Sequence, residues 1–170
     1  KPLLRHSVDA FVAWNTAIRL FVVIGEGQQA LAEQALEGIA DVVYVTGGAE
    51  RRDSVRLGLL AIAAAGGTER VFIHDAARPH LPGDVLDRLD TALDAQPGAV
   101  PVLPVVDSMV RGDDGLMQAS VERSALWRVQ TPQAFHFDAI VAAHLAWPDQ
   151  AMATDDSQIA RAHGLAVALV

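Results

Sequence analysis

Four stretches of this chain hold residue types that could handle a phosphorylated ligand. In the first, Val71-Phe72-Ile73-His74-Asp75-Ala76-Ala77-Arg78-Pro79, an acid stands just beyond three apolar residues that read as a strand. A carboxylate there has a fixed backbone and faces the cleft at the strand's end, as a Mg2+ bridging phosphate oxygens requires. The competing reading is that Asp75 only caps the turn or pairs with Arg78; the small Ala76-Ala77 pair leaves room beside the acid and favours a ligand. His74 reads as packing or strand polarity, and none of the six histidines stands at metal-ligand spacing from another.

The second stretch is Thr46-Gly47-Gly48-Ala49-Glu50-Arg51-Arg52-Asp53-Ser54-Val55, where paired glycines leave a strand and enter a helix. Glycine lets the backbone approach a ligand closely, and a helix start offers free N–H donors. The same pattern also serves as a plain connection with Asp53 and Ser54 as first-turn caps, and taken alone it does not decide. The third group, Arg123, Arg128, Thr131 and Gln133, falls on a protruding segment. Arginines there either protect an exposed edge or, if the segment reaches another subunit, clamp a phosphate monoester with a neighbouring hydroxyl. The fourth, Thr154-Asp155-Asp156-Ser157, reads as a helix start with Thr154 as cap and two acids favoured by the helix dipole.

The elements that must position these groups follow from hydrophobic spacing. Leu3, Leu4, Val8, Phe11 and Val12 recur at helical intervals and feed the apolar run Leu20-Phe21-Val22-Val23-Ile24. The alternation continues with a helix over 28–36, a strand over 42–46, a helix over 55–65, a strand over 71–73 and a helix over 84–93 opened by Pro82-Gly83. Short, continuously apolar strands between helices imply a parallel sheet covered on both faces, a three-layer αβα sandwich. The run 99–106 carries Pro101 and Pro104 and is expected to be an edge or bulged strand at best. The alternation breaks over 107–135, which reads as a β-hairpin arm; a helical stripe from Phe137 to Leu145, a helix over 154–163 and a strand-like 166–170 follow. Trp14, Trp127 and Trp147 read as packing aromatics.

Composition narrows the chemistry. With 170 residues and 51% hydrophobic content, one domain can bury a sizeable core without disulfides or a structural metal. Cys is absent, which excludes a thiol nucleophile, Cys-ligated zinc and iron–sulfur clusters, and gives no sign of an oxidising compartment, so the cytoplasm is the expected location. A formal net charge of −8 disfavours nonspecific nucleic-acid binding but not a mononucleotide, which needs only a local pocket. The apolar stretches fall well short of the roughly 20 residues that span a bilayer. Lys1-Pro2-Leu3-Leu4 begins without Met or a signal-peptide profile, so the true N-terminus is expected upstream.

Taken in order, Gly47–Val55, Val71–Pro79, Pro104–Val110, Val121–Phe135 and Thr154–Gly164 resemble the successive motifs of the 2-C-methyl-D-erythritol 4-phosphate cytidylyltransferases, and the match covers nearly the whole chain. The resemblance implies a Rossmann-like nucleotidyltransferase sandwich with a β-hairpin dimerisation arm. It implies that the phosphate of methylerythritol phosphate attacks the α-phosphorus of CTP, with Mg2+ assisting and pyrophosphate leaving. By motif position, Gly48, Ala49 and Ser54 would lie at the cytosine pocket, and Asp75 and Ala76 at the ribose and metal. Arg78 and Ser108 would face the sugar phosphate, joined by Arg123 and Thr131 from a second subunit's arm, and by Thr154. Asp75 and Arg123 would be the catalytic pair.

The departures from the family pattern carry their own expectations. The Gly-rich loop with an Arg and a Lys that opens the family is missing, as are the final strand bearing a further Lys and the helix that follows it, so the 170 residues alone are expected to be inactive. Losing even one such donor costs about 100- to 1000-fold in rate. Ala49 stands where some members have an acid, Ser108 where they have Thr, and Val110 where they have Lys; the last weakens the sugar-phosphate assignment. Fusion to the cyclodiphosphate synthase of the same pathway is a further expectation. A ribitol 5-phosphate-type cytidylyltransferase and a noncatalytic nucleotide-binding or assembly module are the rival readings. Arg123 with Leu126-Trp127 and Thr131-Pro132-Gln133 favours methylerythritol phosphate over ribitol phosphate.

Overall fold

Helix α1 (Leu3–Trp14) buries Ser7, Val8 and Phe11, the i, i+1, i+4 face its sequence spacing sets up. It is followed by β1 (Leu20–Ile24), α2 (Gln29–Ala35), β2 (Val42–Thr46), α3 (Arg51–Ala64), β3 (Arg70–Ile73), α4 (Gly83–Ala92), β4 (Gly98–Val100) and β5 (Val102–Pro104). The chain continues through β6 (Met109–Asp113), β7 (Leu116–Val121), β8 (Trp127–Val129), β9 (Gln133–His136), α5 (Phe137–Ala146), α6 (Asp156–Ala162) and β10 (Val167–Leu169). The structure, a computed structural model, describes residues 1–149 and 151–170.

Strand β9 is the centre of the fold and the largest departure from the sequence expectation. The main sheet runs β10-β4-β9-β3, with β10 parallel to β4 but β9 antiparallel to both its neighbours. The sheet is therefore mixed rather than parallel. Topology gives the reason: β4 and β5 run outward almost without a break, and β8 and β9 return antiparallel beside them, Val102 to Pro104 facing Val129 to Trp127 and Gly98 to Ala99 facing Phe135 to Ala134. Pro101, which has no N–H to donate, sits between the two halves and accepts a hydrogen bond from the Gln130 N–H (2.8 Å). One long hairpin thus roots in the core and ends as the arm. Residues 133–135, expected to belong to the arm, lie in the sheet instead, and the run 99–106 is not a mere edge strand, because all of β4 is buried.

The two faces of β9 carry two cores. Phe135 packs with Leu59, Val71, Phe137, Ile140, Ala143, Ile159 and Ala160 from the side of α3, α5 and α6, while Ala134 packs with Leu89, Leu93 and Ala99 from the side of α4. Alternate residues facing opposite helical layers is the three-layer αβα sandwich that the sequence implied.

Two further differences concern β1 and the helix starts. Strands β1 and β2 pair in parallel as a separate two-stranded sheet. Between β1 and β3 runs a largely apolar cavity of about 890 Å³, and because consecutive residues of both strands line it, it lies along their edges and not on one face. Helix α3 begins at Arg51, four residues before the apolar stripe suggested. Helix α6 begins at Asp156 and is capped by Asp155, which accepts from the Gln158 N–H, so Thr154 is not the cap. Trp14 (5.3 Å from the Phe72 ring) and Trp147 pack as expected, but Trp127 on the arm is exposed.

Candidate active site

The C-terminal ends of β2 and β3 and the N-terminal end of the antiparallel β9 lie at one edge of the fold, and α6 brings its own start to the same place. Asp75, two residues beyond β3, directs one carboxylate oxygen to Arg51 Nε (3.2 Å) and the other to Arg78 Nε (3.3 Å). Thr131, just before β9, accepts a hydrogen bond from the Asp75 N–H (3.3 Å). Arg78 donates to the Gln130 side chain (2.5 Å). A cavity of about 170 Å³ is lined by Arg51, Asp75, Arg78, Thr131, Thr154 and Asp155. Asp75, Arg78, Thr131 and Thr154, nominated from the sequence, are thereby brought together.

His74 has more than a packing role. Its ring meets Phe11 edge-on at 5.5 Å, its Nε2 lies 3.0 Å from the Arg78 carbonyl and its Nδ1 lies 3.0 Å from the Thr131 hydroxyl. Burial lowers its pKa below the ordinary value of 6.5, outweighing the opposing hydrogen bond to Arg78 and the Asp75 charge, so the ring is neutral at pH 7. A carbonyl can only accept, so the proton sits on Nε2, Nδ1 accepts the Thr131 O–H, and Thr131 in turn accepts from Asp75. This closed ring of hydrogen bonds fixes Asp75, Arg78 and Thr131 relative to one another. It also corrects an expectation: Thr131 reaches the site from Asp75's own chain, because it stands at the root of the hairpin and not on its projecting part.

The glycine turn is built for closeness. A Cβ on Gly47 would lie 2.6 Å from Ser54 Oγ, and one on Gly48 would lie 2.5 Å from the Asp53 Cβ, so side chains there would drive the turn off the helix start. Ser54 is not a cap in the ordinary sense; its hydroxyl accepts from the Gly48 N–H (3.1 Å). Gly48, Ser54 and Ala76 line the end of the large cavity beside β1, and Arg51 and Asp75 line both cavities, so the two spaces meet at that ion pair. Ala49, Ser108 and Arg123 are exposed and line neither cavity; on its own chain, Arg123 donates to the Val106 carbonyl.

Sequence reading missed the residues behind this front. Arg51 Nη2 bonds Asp156 (2.9 Å), which is fully buried, and the other Asp156 oxygen meets His144 Nε2 (3.2 Å). Burial acts against the Arg51 charge, but Asp156 and then Asp75 outweigh it and raise its pKa above the ordinary range. Gln133, nominated from the sequence as part of the protruding segment, is instead buried in β9, where it accepts from the Ser157 N–H (2.8 Å) and ties β9 to α6. Only long-range contacts, 105 residues apart for Arg51 and Asp156, bring these groups together, and no local spacing carries that signal.

No group of three or more His, Asp or Glu side chains able to hold a metal occurs among the described residues. Asp75 is a single, one-third exposed carboxylate at the mouth of the cavity. That donor set fits a Mg2+ that takes its remaining ligands from substrate phosphates and water, and does not fit a resident ion caged by protein.

The family model for IspD, 2-C-methyl-D-erythritol 4-phosphate cytidylyltransferase, matches residues 1–170. The chain is 53% identical over its whole length to the bifunctional enzyme IspD/IspF of Novosphingobium aromaticivorans, of which it covers 44%. It is 46% identical to the 2-C-methyl-D-erythritol 4-phosphate cytidylyltransferase of Cereibacter sphaeroides, of which it covers 75%. The crystal structure of the Thermus thermophilus cytidylyltransferase superposes with a TM-score of 0.81 at 31% identity, covering 100% of this chain and 78% of that one. The chain thus spans less than half the length of the bifunctional relatives it matches. With the mixed sheet, the glycine turn packed on α3 and the Asp75, Arg78 and Thr131 cluster all in hand, the chain belongs to the IspD cytidylyltransferase family.

Proposed function

We propose that the complete protein transfers CMP from CTP to 2-C-methyl-D-erythritol 4-phosphate, releasing pyrophosphate, as a step of non-mevalonate isoprenoid synthesis in the cytoplasm. The observation that carries this reading is the convergence of Asp75, Arg78, Thr131 and Thr154 on one cavity that adjoins the Gly47-Gly48 turn. In the reaction, an oxygen of the sugar phosphate forms a bond to the α-phosphorus while the bond from that phosphorus to the bridging α–β oxygen breaks. The electron pair leaves with pyrophosphate. Such a transfer asks the protein for in-line positioning and cations more than for covalent chemistry.

The residues divide that work. Gly48 and Ser54 present backbone and hydroxyl groups beside the cavity where the base edge would be read, with Ala49 contributing through its backbone. Asp75, with Ala76 leaving space next to it, faces the ribose and phosphates and would hold a Mg2+, which when bound offsets charge on the phosphate oxygens. Arg78, Thr131 and Thr154 receive the phosphate of the acceptor. Arg123 and Ser108 complete that pocket from the arm of a second copy, which makes the working unit a homodimer. The exposed apolar residues of the arm, among them Leu103, Val106, Leu116, Met117 and Trp127, support that pairing, since a monomer leaves them in water. No helix among the described residues is long and apolar enough to cross a membrane.

A pyrophosphate-release assay on the full-length protein tests the reading. CTP with methylerythritol phosphate is expected to give turnover and CTP with ribitol 5-phosphate very little. The reverse preference would make the protein a ribitol-type enzyme, and CTP binding without turnover on either acceptor would make it a noncatalytic module.

A further inference from the structure

Three charged elements meet at one guanidinium. Arg51, at the first turn of α3, bonds Asp75 beyond β3 and Asp156 at the first turn of α6, and Asp156 is held from behind by His144 of α5. Asp156 is a carboxylate and can only accept, so the proton of His144 lies on Nε2; the opposite nitrogen, Nδ1, is buried with no hydrogen-bond partner among the described residues. A core gains little from such an arrangement. Taking the Asp156 carboxylate out of water costs about as much as its attraction to the partly exposed Arg51 returns, and an apolar residue of the same volume in its place generally stabilises as well or better. His144 with its orphaned nitrogen adds cost rather than stability. What the network does supply is fixed geometry: Arg51 of α3, Asp75 beyond β3, and Thr154 and Asp155 just ahead of α6 all line the smaller cavity, and Arg51 ties Asp75 to Asp156 where the two cavities meet.

We propose that Arg51 and Asp156 are positioning residues of the transfer site: Asp156, braced by His144, orients Arg51, and Arg51 in turn sets the Asp75 carboxylate between itself and Arg78. This rests on the proposed CMP transfer and names how the site is held in working geometry. Asp156 is fully buried and lines neither cavity, and Arg51 is the cavity-lining side chain it bonds, so the effect of changing it on turnover is expected to travel chiefly through Arg51.

The test is a coupling measurement on the full-length protein, by pyrophosphate release with CTP, Mg2+ and methylerythritol phosphate. Asp156→Asn keeps the size but sets an amide N–H against one of two donors, and is expected to lower kcat about 100-fold, as misplacement remote from the reacting atoms does. The KM for the sugar phosphate is expected to stay within about threefold, because no group that binds it has been removed. Arg51→Lys keeps the charge but cannot span two carboxylates with one planar fork, and is expected to lose about tenfold or more in kcat. The double variant should be no slower than Asp156→Asn alone. A kcat within about twofold of wild type for either single variant, or losses that multiply in the double, would overturn the proposal. Should Asp156→Asn lose its cooperative thermal transition, Arg51→Lys, altered at the cavity wall, decides by itself. Wild-type protein that releases no pyrophosphate sinks the reaction; wild-type turnover with unaffected variants sinks only the positioning role.

Discussion

The root and the tip of one hairpin are built on opposite terms. At the root, β4 is buried throughout and β9 everywhere but its last residue; at the tip, every residue of β6 and all but one of β7 are exposed. Root side chains are held by two cores and by hydrogen bonds that run across the sheet, so Thr131 has one position relative to Asp75. The tip has only its own ladder, Met109 to Asp113 against Val121 to Leu116, and an isolated two-stranded ribbon is marginal in water. A residue at the root can be assigned to the site from one chain. A residue on the tip, such as Arg123, acquires its role only through what the arm lies against.

The widest contrast is in stability. Ile140→Ala, in the core beside Phe135, should cost about 2–5 kcal/mol in chemical denaturation, whereas Leu116→Ala on the arm should cost about 0.5 kcal/mol or less in the monomer. Equal losses would mean that the arm is packed in a way its exposure denies. In turnover, Asp75→Asn should lower kcat about 100- to 1000-fold at saturating substrates, since it removes the charge that Arg51 and Arg78 flank. Unchanged Mg2+-dependent turnover would remove Asp75 from the site. Arg123→Met should raise the KM for methylerythritol phosphate about tenfold while leaving that for CTP nearly unchanged, as expected of a clamp on the acceptor's phosphate. Equal effects on both substrates would discredit the clamp.

The weakest effect concerns pH. His74 is held neutral in the fold with a pKa below 6.5, so its contribution to stability is fully present above pH 6.5 and is lost as pH falls toward and through the lowered value. The thermal midpoint should therefore fall on acidification below about pH 6.5, and less steeply in His74→Asn, which cannot take up the proton. Identical slopes in the two proteins would show that the ring of hydrogen bonds through Thr131 does not depend on a neutral imidazole.

Legibility in the sequence follows the same division. Elements whose signal is local were readable: the apolar runs of β1, β2 and β3, the amphipathic α1 and α4, and Asp75 at a strand end. The three-layer architecture followed from their alternation. What failed was non-local. Gln133 to His136 is short and follows a Pro, so nothing in its spacing announces a central strand, and its antiparallel direction is fixed only by the hairpin returning beside β4. The Pro101 and Pro104 interruptions suggested an edge because a proline removes a ladder donor, yet Pro101 falls between β4 and β5, where no donor is needed. Arg51, Asp156 and His144 were readable as types but not as a network, since helix faces 105 and 12 residues apart meet only in the folded core. His74 was misjudged for a simpler reason: its value lies in two hydrogen-bond partners, one of them 57 residues away.

Subunit mixing decides whether one chain's root and another chain's tip make a single site. Full-length Asp75→Asn and full-length Arg123→Met, each impaired alone, would be mixed, allowed to exchange subunits and assayed for pyrophosphate release at low methylerythritol phosphate. If sites are shared, half the dimers are mixed and each holds one intact site, so about one quarter of wild-type activity should return. Activity equal to the mean of the two separate variants, at a protein concentration where light scattering shows dimers, would contradict the shared site.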